Sequence, residues 1–365
     1  MNRLLLFTLF IVSTLPLSAQ LSGAYTIGGT NPNYADFTAA AAALTTQGIS
    51  GNVTFNVRPG TYTERFIINA IPGSNVNRTV TFQAENGDSS SVLLLNATAT
   101  NTTNYLIALQ NVGQVVLKRL SFQTPETGAY STAVLVYNAS NIRLENCRLS
   151  GSLNTSTLNE NQRISVLVTG ISPNFTAKNC FFRNGYNGIG VLGGETLVSA
   201  DMLIENNRFK GTIGEAVAAV YAHNIRVRQN LVDSCALGFS IRFCSTAVVI
   251  RNRIFTTYYG CLAMYECRGT AANRCLVANN MMGNYGNSTQ VNGALIQSCR
   301  YLDFFHNSLD IQSGSEQCYG LFLANSSRYI RIQNNSVVVK PGGLPVVVQN
   351  EPNEVETFSH CNLYN

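Results

Sequence analysis

The sequence predicts an all-β solenoid: a parallel β-helix of about twelve coils with one helix capping its N-terminal end. Two observations carry this. An eight-residue phrase, apolar–x–apolar–x–Asn–Asn–x–apolar, recurs along the chain, as in "DMLIENNRFKG" at 201–211 and "YIRIQNNSVVV" at 329–339. No helix-length segment separates one phrase from the next. Alternation with period two over four or five residues marks a strand and not a helix. A repeat built only of short strands and tight turns buries its apolar face by stacking on identical units.

The elements follow in chain order. "MNRLLLFTLFIVSTLPLSAQ" has the charge, apolar run and small-residue end of a secretory signal peptide, residues 1–19, with cleavage after Ala19. Its apolar run is too short to span a bilayer, and no later stretch reaches about 18 apolar residues. The mature chain is therefore read as secreted, extracellular or held at the cell surface, and not as an integral membrane protein. Residues 20–52 form the cap. Within them "YADFTAAAAALTTQG" at 34–48 is the one good helix, with Phe37, Ala41 and Leu44 on its apolar face, Asp36 or Asn33 as its N-cap and Gly48 at its end. Such a helix covers strand edges that would otherwise pair with another chain. "VTFNVRPGTYTERFII" then reads as strand, Pro-Gly turn, strand.

Residues 53–365 are the solenoid. The phrase's first apolar position falls at Val115, Ile142, Phe175, Met202, Ile225, Val248, Cys275, Leu302 and Ile330, spaced by 23 to 33 residues. "VTFNV" at Val53 and "VTFQA" at Val80 are earlier turns, and a weaker match starts at Thr357. A second short strand precedes most phrases, as "AVLVY" at 133–137, "ISVLV" at 164–168, "GFSIRF" at 238–243 and "GLFLA" at 320–324. In-register stacking places the fifth position of each phrase in one file: Asn146, Asn179, Asn206, Asn252, Asn279 and Asn334, with Gln229 and His306 as substitutes. Asn tolerates the left-handed backbone of a corner, and its amide can donate to and accept from the coils above and below. These residues are expected to form a structural ladder. The cysteines lie on the same lattice, with Cys147 and Cys180 at the sixth position and Cys244, Cys267 and Cys299 ahead of their phrases. Parallel, in-register side chains fit stacked free thiols better than the disulfide dihedral, although bridges between coils remain open. At the far end "TFSHCNLYN" enters the phrase and stops, so the solenoid is expected to continue beyond the C-terminus.

The phrases "NIRLENCRLSG", "DMLIENNRFKG", "NIRVRQNLVDS" and "YIRIQNNSVVV" resemble those of the right-handed parallel β-helix, or pectin-lyase-like, family, over residues 23–365. The opening, with Gly60, Thr61, Tyr62 and Glu64, is similar to the start of pectinesterase-like domains, and its style to long exported bacterial surface proteins. The resemblance implies a right-handed solenoid. It implies no single activity, because the fold hosts lyases, hydrolases, esterases and non-catalytic adhesins.

The Asn-Thr-Asp, Asp-Asp and Gly-His-Gly motifs of polygalacturonase-like hydrolases are absent, as are the Asp-Phe-Ile-Phe-Gly motif of pectinesterases and the Arg-x-Pro-x-x-Arg motif of pectate lyases. The absence of Trp weighs against a glycan groove, though 16 Tyr could substitute. What remains is charge. Charged residues are only 12% of the chain, yet residues 141–255 hold 12 basic and 7 acidic ones. One reading is a solvated face of weak cross-coil ion pairs. The sharper reading is a shallow groove for an anionic polysaccharide or cell-surface glycan, with Arg143, Arg148, Arg208 and Arg253 as ligand-binding residues. A lyase acting there would draw on Lys178, Arg226, Arg228 and Arg251 to abstract the proton beside a uronate and neutralise its carboxylate. No metal site, cofactor or nucleic-acid partner is expected, with calcium entering only in the lyase alternative. The favoured function is a non-catalytic surface, adhesin or carbohydrate-binding module; the alternative is a polysaccharide lyase or other carbohydrate-active enzyme on acidic glycans.

Overall fold

The computed structural model describes residues 19–96, 98–155, 162–196, 198–286, 288, 290–313, 317–349 and 355–365. The expected signal peptide, all but Ala19, lies outside these residues.

Every named strand pairs in parallel, and the strands pile into three files, with one further pair, Ser199–Ala200 and Ala222–His223, standing apart. The first file is a 13-stranded sheet running in chain order from Leu21–Ile27 to Val355–Ser359. The second holds strands such as Arg148–Ser150, Phe181–Arg183 and Arg208–Lys210; the third holds Ile164–Thr169, Asn187–Leu192 and Glu215–Val220. Leu231–Arg242 and Arg253–Tyr265 run through both the second and third files without a break. Leu21–Ile27 already pairs with Ile49–Val57, so the first rung precedes the helix and the boundary expected at residue 52 falls inside a strand.

Period-two alternation turns one side of each strand inward. Val53, Phe55 and Val57 are fully buried, as are Val80 and Phe82 on the next coil. Like side chains stack coil on coil: the rings of Phe55 and Phe82 lie 4.7 Å apart, and those of Phe182 and Phe209 lie 4.8 Å apart. The helix, Phe37–Gln47, closes the N-terminal end as expected. Asp36 Oδ1 accepts from the Ala39 N–H at 2.7 Å. Glu64, from the Gly-Thr-Tyr-x-Glu turn, completes the cap by accepting from the Phe37 and Thr38 N–H groups at 3.1 and 2.9 Å. Two of the four orphan donors of the first turn are met from another part of the chain. At the other end, the inward-facing Phe358 and Leu363 are 46% and 40% exposed.

The corner after the first file is where the structure corrects the sequence reading. The fifth position is indeed left-handed, with φ of 57° at Asn146, 56° at Asn179, 53° at Asn206, 56° at Asn279 and 55° at Asn334. In this outer file one amide–amide bond occurs, from Asn206 Nδ2 to Asn179 Oδ1 at 2.6 Å. The continuous ladder lies one residue further on, in Asn207, Asn230, Asn252, Asn280, Asn307 and Asn335, each no more than 2% exposed. Asn230 shows the pattern. Its Oδ1 accepts from the backbone N–H and Nδ2 of Asn207, at 2.9 and 3.1 Å, and its Nδ2 donates to the Ile204 carbonyl at 2.9 Å. Cys147 and Cys180 occupy the same position and donate S–H to the Leu117 and Leu144 carbonyls at 3.3 and 3.6 Å.

Asn252 therefore belongs to the inner ladder, and Arg251, with φ 57°, holds the outer position of its coil. Arg226 pairs with Val248, so Ala247 and not Val248 fills the first position of the phrase. Three successive apolar residues, Val248, Val249 and Ile250, hide the period-two phase that sets the register.

The corner before the first file carries a second ladder, of hydroxyls and thiols. Ser172 Oγ accepts from the Ala139 N–H, Ser199 Oγ from the Ser172 N–H, Cys244 Sγ from the Ala222 N–H and Ser327 Oγ from the Cys299 N–H, at 2.9 to 3.3 Å. All ten cysteines are free thiols, and nine are buried. Burial pushes Cys261 and Cys275 up to about 12, so both stay neutral.

Replacing Asn252 by Leu strands the Val227 carbonyl and the Asn230 N–H. The expected loss is about 2–4 kcal/mol. Asn206→Gly keeps the left-handed backbone and should cost less than about 1 kcal/mol. Chemical denaturation of both variants checks this; equal losses would place the stabilising amides in the wrong file.

Candidate functional site

Outward-facing positions decide what the solenoid can bind. On the first face, Lys178, Glu205 and Arg228 align in successive coils. Lys178 Nζ lies 2.9 Å and Arg228 Nε 2.7 Å from the Glu205 carboxylate, which is nearly buried. The Lys178 hydrogen bond and the Arg228 charge hold the Glu205 carboxyl below its ordinary range. Two of the four candidate catalytic cations are thus neutralised on one glutamate. Arg226 is exposed on the same face, two residues from Arg228, and Arg251 stands at the corner. The four do not converge on one point. Arg143 pairs with Glu145 at 3.7 Å. Arg148, Arg208 and Arg253 lie instead on the second face, in one file on alternate coils, with Phe181 and Leu231 between them. Arg208 and Lys210 approach Asp233 at 3.7 and 3.8 Å.

The third face holds what the charge pattern did not reveal. Its outward file carries Gly190, Ala218, Ser240 and Ala263 on successive coils, then Leu295 and Phe322. Small residues followed by large ones make a depression. Beside it lies a groove of about 540 Å³, lined by Tyr259, Tyr265, Phe322, Ser288, Gln290, Asn292, Gln297, Asn325 and Gln349. Gly260 forms part of its wall; a Cβ there would sit 2.1 Å from the Asn292 carbonyl oxygen, so only glycine lets the two strands approach. Asn292 Oδ1 is shielded from solvent with no hydrogen-bond partner among the described residues. Tyr258 and Tyr259 meet edge to face at 4.4 Å and are 48% and 57% exposed.

At the edge of the groove Arg242 is held on three sides. It contacts Glu215 at 2.8 Å, donates from Nε to Ser240 Oγ at 2.8 Å and lies over the Tyr265 ring at 5.9 Å. Burial raises the Tyr265 phenol above its ordinary range, so it remains a neutral hydrogen-bond donor. Among the described residues the lining contains no Asp, Glu, Lys or Arg. Aromatic faces beside amide donors and acceptors suit a polyhydroxylated ring, whose C–H faces pack on aromatics and whose hydroxyls bond amides. The carboxylate pair that most glycosidases use is not found among the described residues of this lining. Sequence reasoning missed these residues, although "GFSIRF" and "GLFLA" were already read as strands. Phasing their alternation would have turned Arg242 and Phe322 outward.

Residues 165–337 match the family model described as the right handed beta helix region. The chain has the fold of a right-handed parallel β-helix. Among solved structures it is similar to a GH136 lacto-N-biosidase from Eubacterium ramulus, at 12% identity and a TM-score of 0.59, covering 93% of this chain and 68% of that one. The surface adhesin PfbA of Streptococcus pneumoniae matches at 14% identity and a TM-score of 0.49, over 89% of this chain and 93% of that one. The periplasmic alginate epimerase AlgG matches at 12% and 0.49, over 83% and 78%. At these identities the likeness is one of fold. No curated protein matches in sequence. Among the described residues no helix is long and apolar enough to cross a membrane.

The Glu205 cluster yields a pH test. A carboxyl whose pKa is lowered by folding stabilises fully above its unfolded value, about 4.3, and loses that contribution as pH falls through the folded value. Glu205→Gln should therefore melt below wild type at pH 7, with the gap closing on acidification below pH ~4. A gap unchanged at pH 3 would show that the contacts with Lys178 and Arg228 do not depend on ionisation.

Proposed function

We propose that the protein is an exported, non-catalytic carbohydrate-binding β-helix whose ligand is an uncharged oligosaccharide of a cell-surface glycan, bound in the third-face groove. The observation that carries this reading is the lining: three aromatic side chains and five amides converge on one depression, with no charged group among the described residues that line it. Export rests on the leader sequence. The uncharged lining moves the ligand away from the anionic glycan expected from composition. The lyase alternative loses support because Lys178 and Arg228 are committed to Glu205.

Calorimetric titration with neutral and uronate-containing oligosaccharides tests the proposal. Neutral oligosaccharides should bind with saturation, and Tyr265→Ala and Gln297→Ala should each weaken binding at least tenfold, about 1.4 kcal/mol. Ultraviolet absorbance over pectate or alginate should stay flat, because no unsaturated uronate forms. Binding untouched by both variants, or absorbance that rises with wild type and not with Arg228→Ala, would overturn the reading.

A further inference from the structure

We propose that the second face carries, toward its N-terminal end, a separate site for an oxyanion, the sulfate or phosphate group of a small ester. Two files of side chains point outward there. One carries Leu93, Ser121, Arg148 and Phe181 on successive coils; the other carries Gln123, Ser150 and Arg183 on the last three of them. Serine is the shortest side chain in either file, and it falls at Ser121 in one and, a coil later, at Ser150 in the other. The two serines leave a hollow of about 190 Å³, walled by Leu93, Gln123, Arg148, Phe181 and Arg183. Among the described residues its lining contains no Asp or Glu.

The polar groups around the hollow are uncommitted. Arg148 and Arg183 are exposed, stand diagonally across successive coils, and belong to no ion pair among the described residues. Ser150 accepts from Thr124 through its backbone carbonyl alone, and neither its hydroxyl nor the Gln123 amide makes a hydrogen bond among the described residues. The Ser121 hydroxyl is the exception, donating to the Ser89 carbonyl at 2.6 Å. Asp88 stands outside the lining. Hydrogen bonds from the Ser90 N–H and hydroxyl, at 2.9 and 2.8 Å, hold its carboxyl below the ordinary range, and the Arg148 charge adds only the smallest part. On the other side Phe181 parts the hollow from Arg208, which lies 5.6 Å over the ring and approaches Asp233. Two guanidiniums, a hydroxyl and an amide thus face one hollow that no described carboxylate lines. Guanidiniums take the oxygens of phosphate in pairs, and donors arriving from several directions suit a tetrahedral group. The body of the ester would rest against Leu93 and Phe181. This site shares no residue with the third-face groove, so either can fail without the other.

Titration of the mature chain with inorganic sulfate and inorganic phosphate, followed by nuclear magnetic resonance at an ionic strength held constant with chloride, tests the proposal. The Ser150 and Arg183 amide signals should shift to saturation, while those of the third-face groove stay in place. Arg148→Gln and Arg183→Gln should each weaken that binding about tenfold. Arg300→Gln, which removes an exposed arginine from the first file, should leave it unchanged. The sulfate and phosphate monoesters of glucose, read at the same two amides, distinguish the sources by which saturates at lower concentration. All three substituted side chains are exposed, and unchanged melting of the variants separates lost binding from lost folding. No saturable shift at Ser150 and Arg183, an equal loss in Arg300→Gln, or binding untouched in both Arg148→Gln and Arg183→Gln would overturn the proposal.

Discussion

The solenoid depends on a donor that has no backbone partner. At the corner after the first file the chain steps through a left-handed residue, and the next N–H turns away from the sheet ladder into the interior. A buried N–H left unpaired is costly, and it recurs in successive coils from Cys180 to Asn307. In the coils from Asn207 to Asn307 the acceptor is the side-chain oxygen of the asparagine one coil further on. The same side chain returns its own N–H group to a carbonyl of the coil before it. Each asparagine thus ties three coils together at a fixed height. A slip of one residue would break the bonds above and below at once.

This alignment sets everything that faces outward. Because the coils share a register, residues at one position of the repeat form straight files, and each face acquires its own chemistry. The first face concentrates charge and largely cancels it around Glu205. The second carries arginines on alternate coils. The third places small residues beside aromatic and amide ones and so becomes concave. A rigid scaffold supplies geometry, and side chains that make no structural hydrogen bond are free to take a ligand.

The repeat, the strands, the capping helix and the left-handed corner were all legible in the sequence, because each follows from local spacing and residue type. The inner ladder was not. Asn at the fifth and sixth positions alternates with Cys, Gln, Arg and His, and only the pairing of Ile250 with Arg228 shows that Asn252 faces inward. The ion pairs of Lys178 and Arg228 with one glutamate span three coils, so no single phrase discloses them. The groove was invisible for a related reason: its lining comes from the strands ahead of the phrase and from turns, where the sequence varies most. Some thiols, by contrast, follow a simple rule: Cys180 stands in the asparagine file beside Asn207, and Cys299 in the hydroxyl file beside Ser327.

Hydrogen exchange in an Asn280→Leu variant tests the central claim most directly. The Asn252 N–H donates to Asn280 Oδ1 at 3.0 Å, whereas the Asn307 N–H donates to Asn335 and does not involve position 280. If the buried amides hold the coils at their heights, exchange at Asn252 should accelerate at least tenfold in the variant, while Asn307 stays protected. Exchange at Asn252 as slow as in the unaltered chain would mean that its N–H has another acceptor, and that the ladder does not set the register.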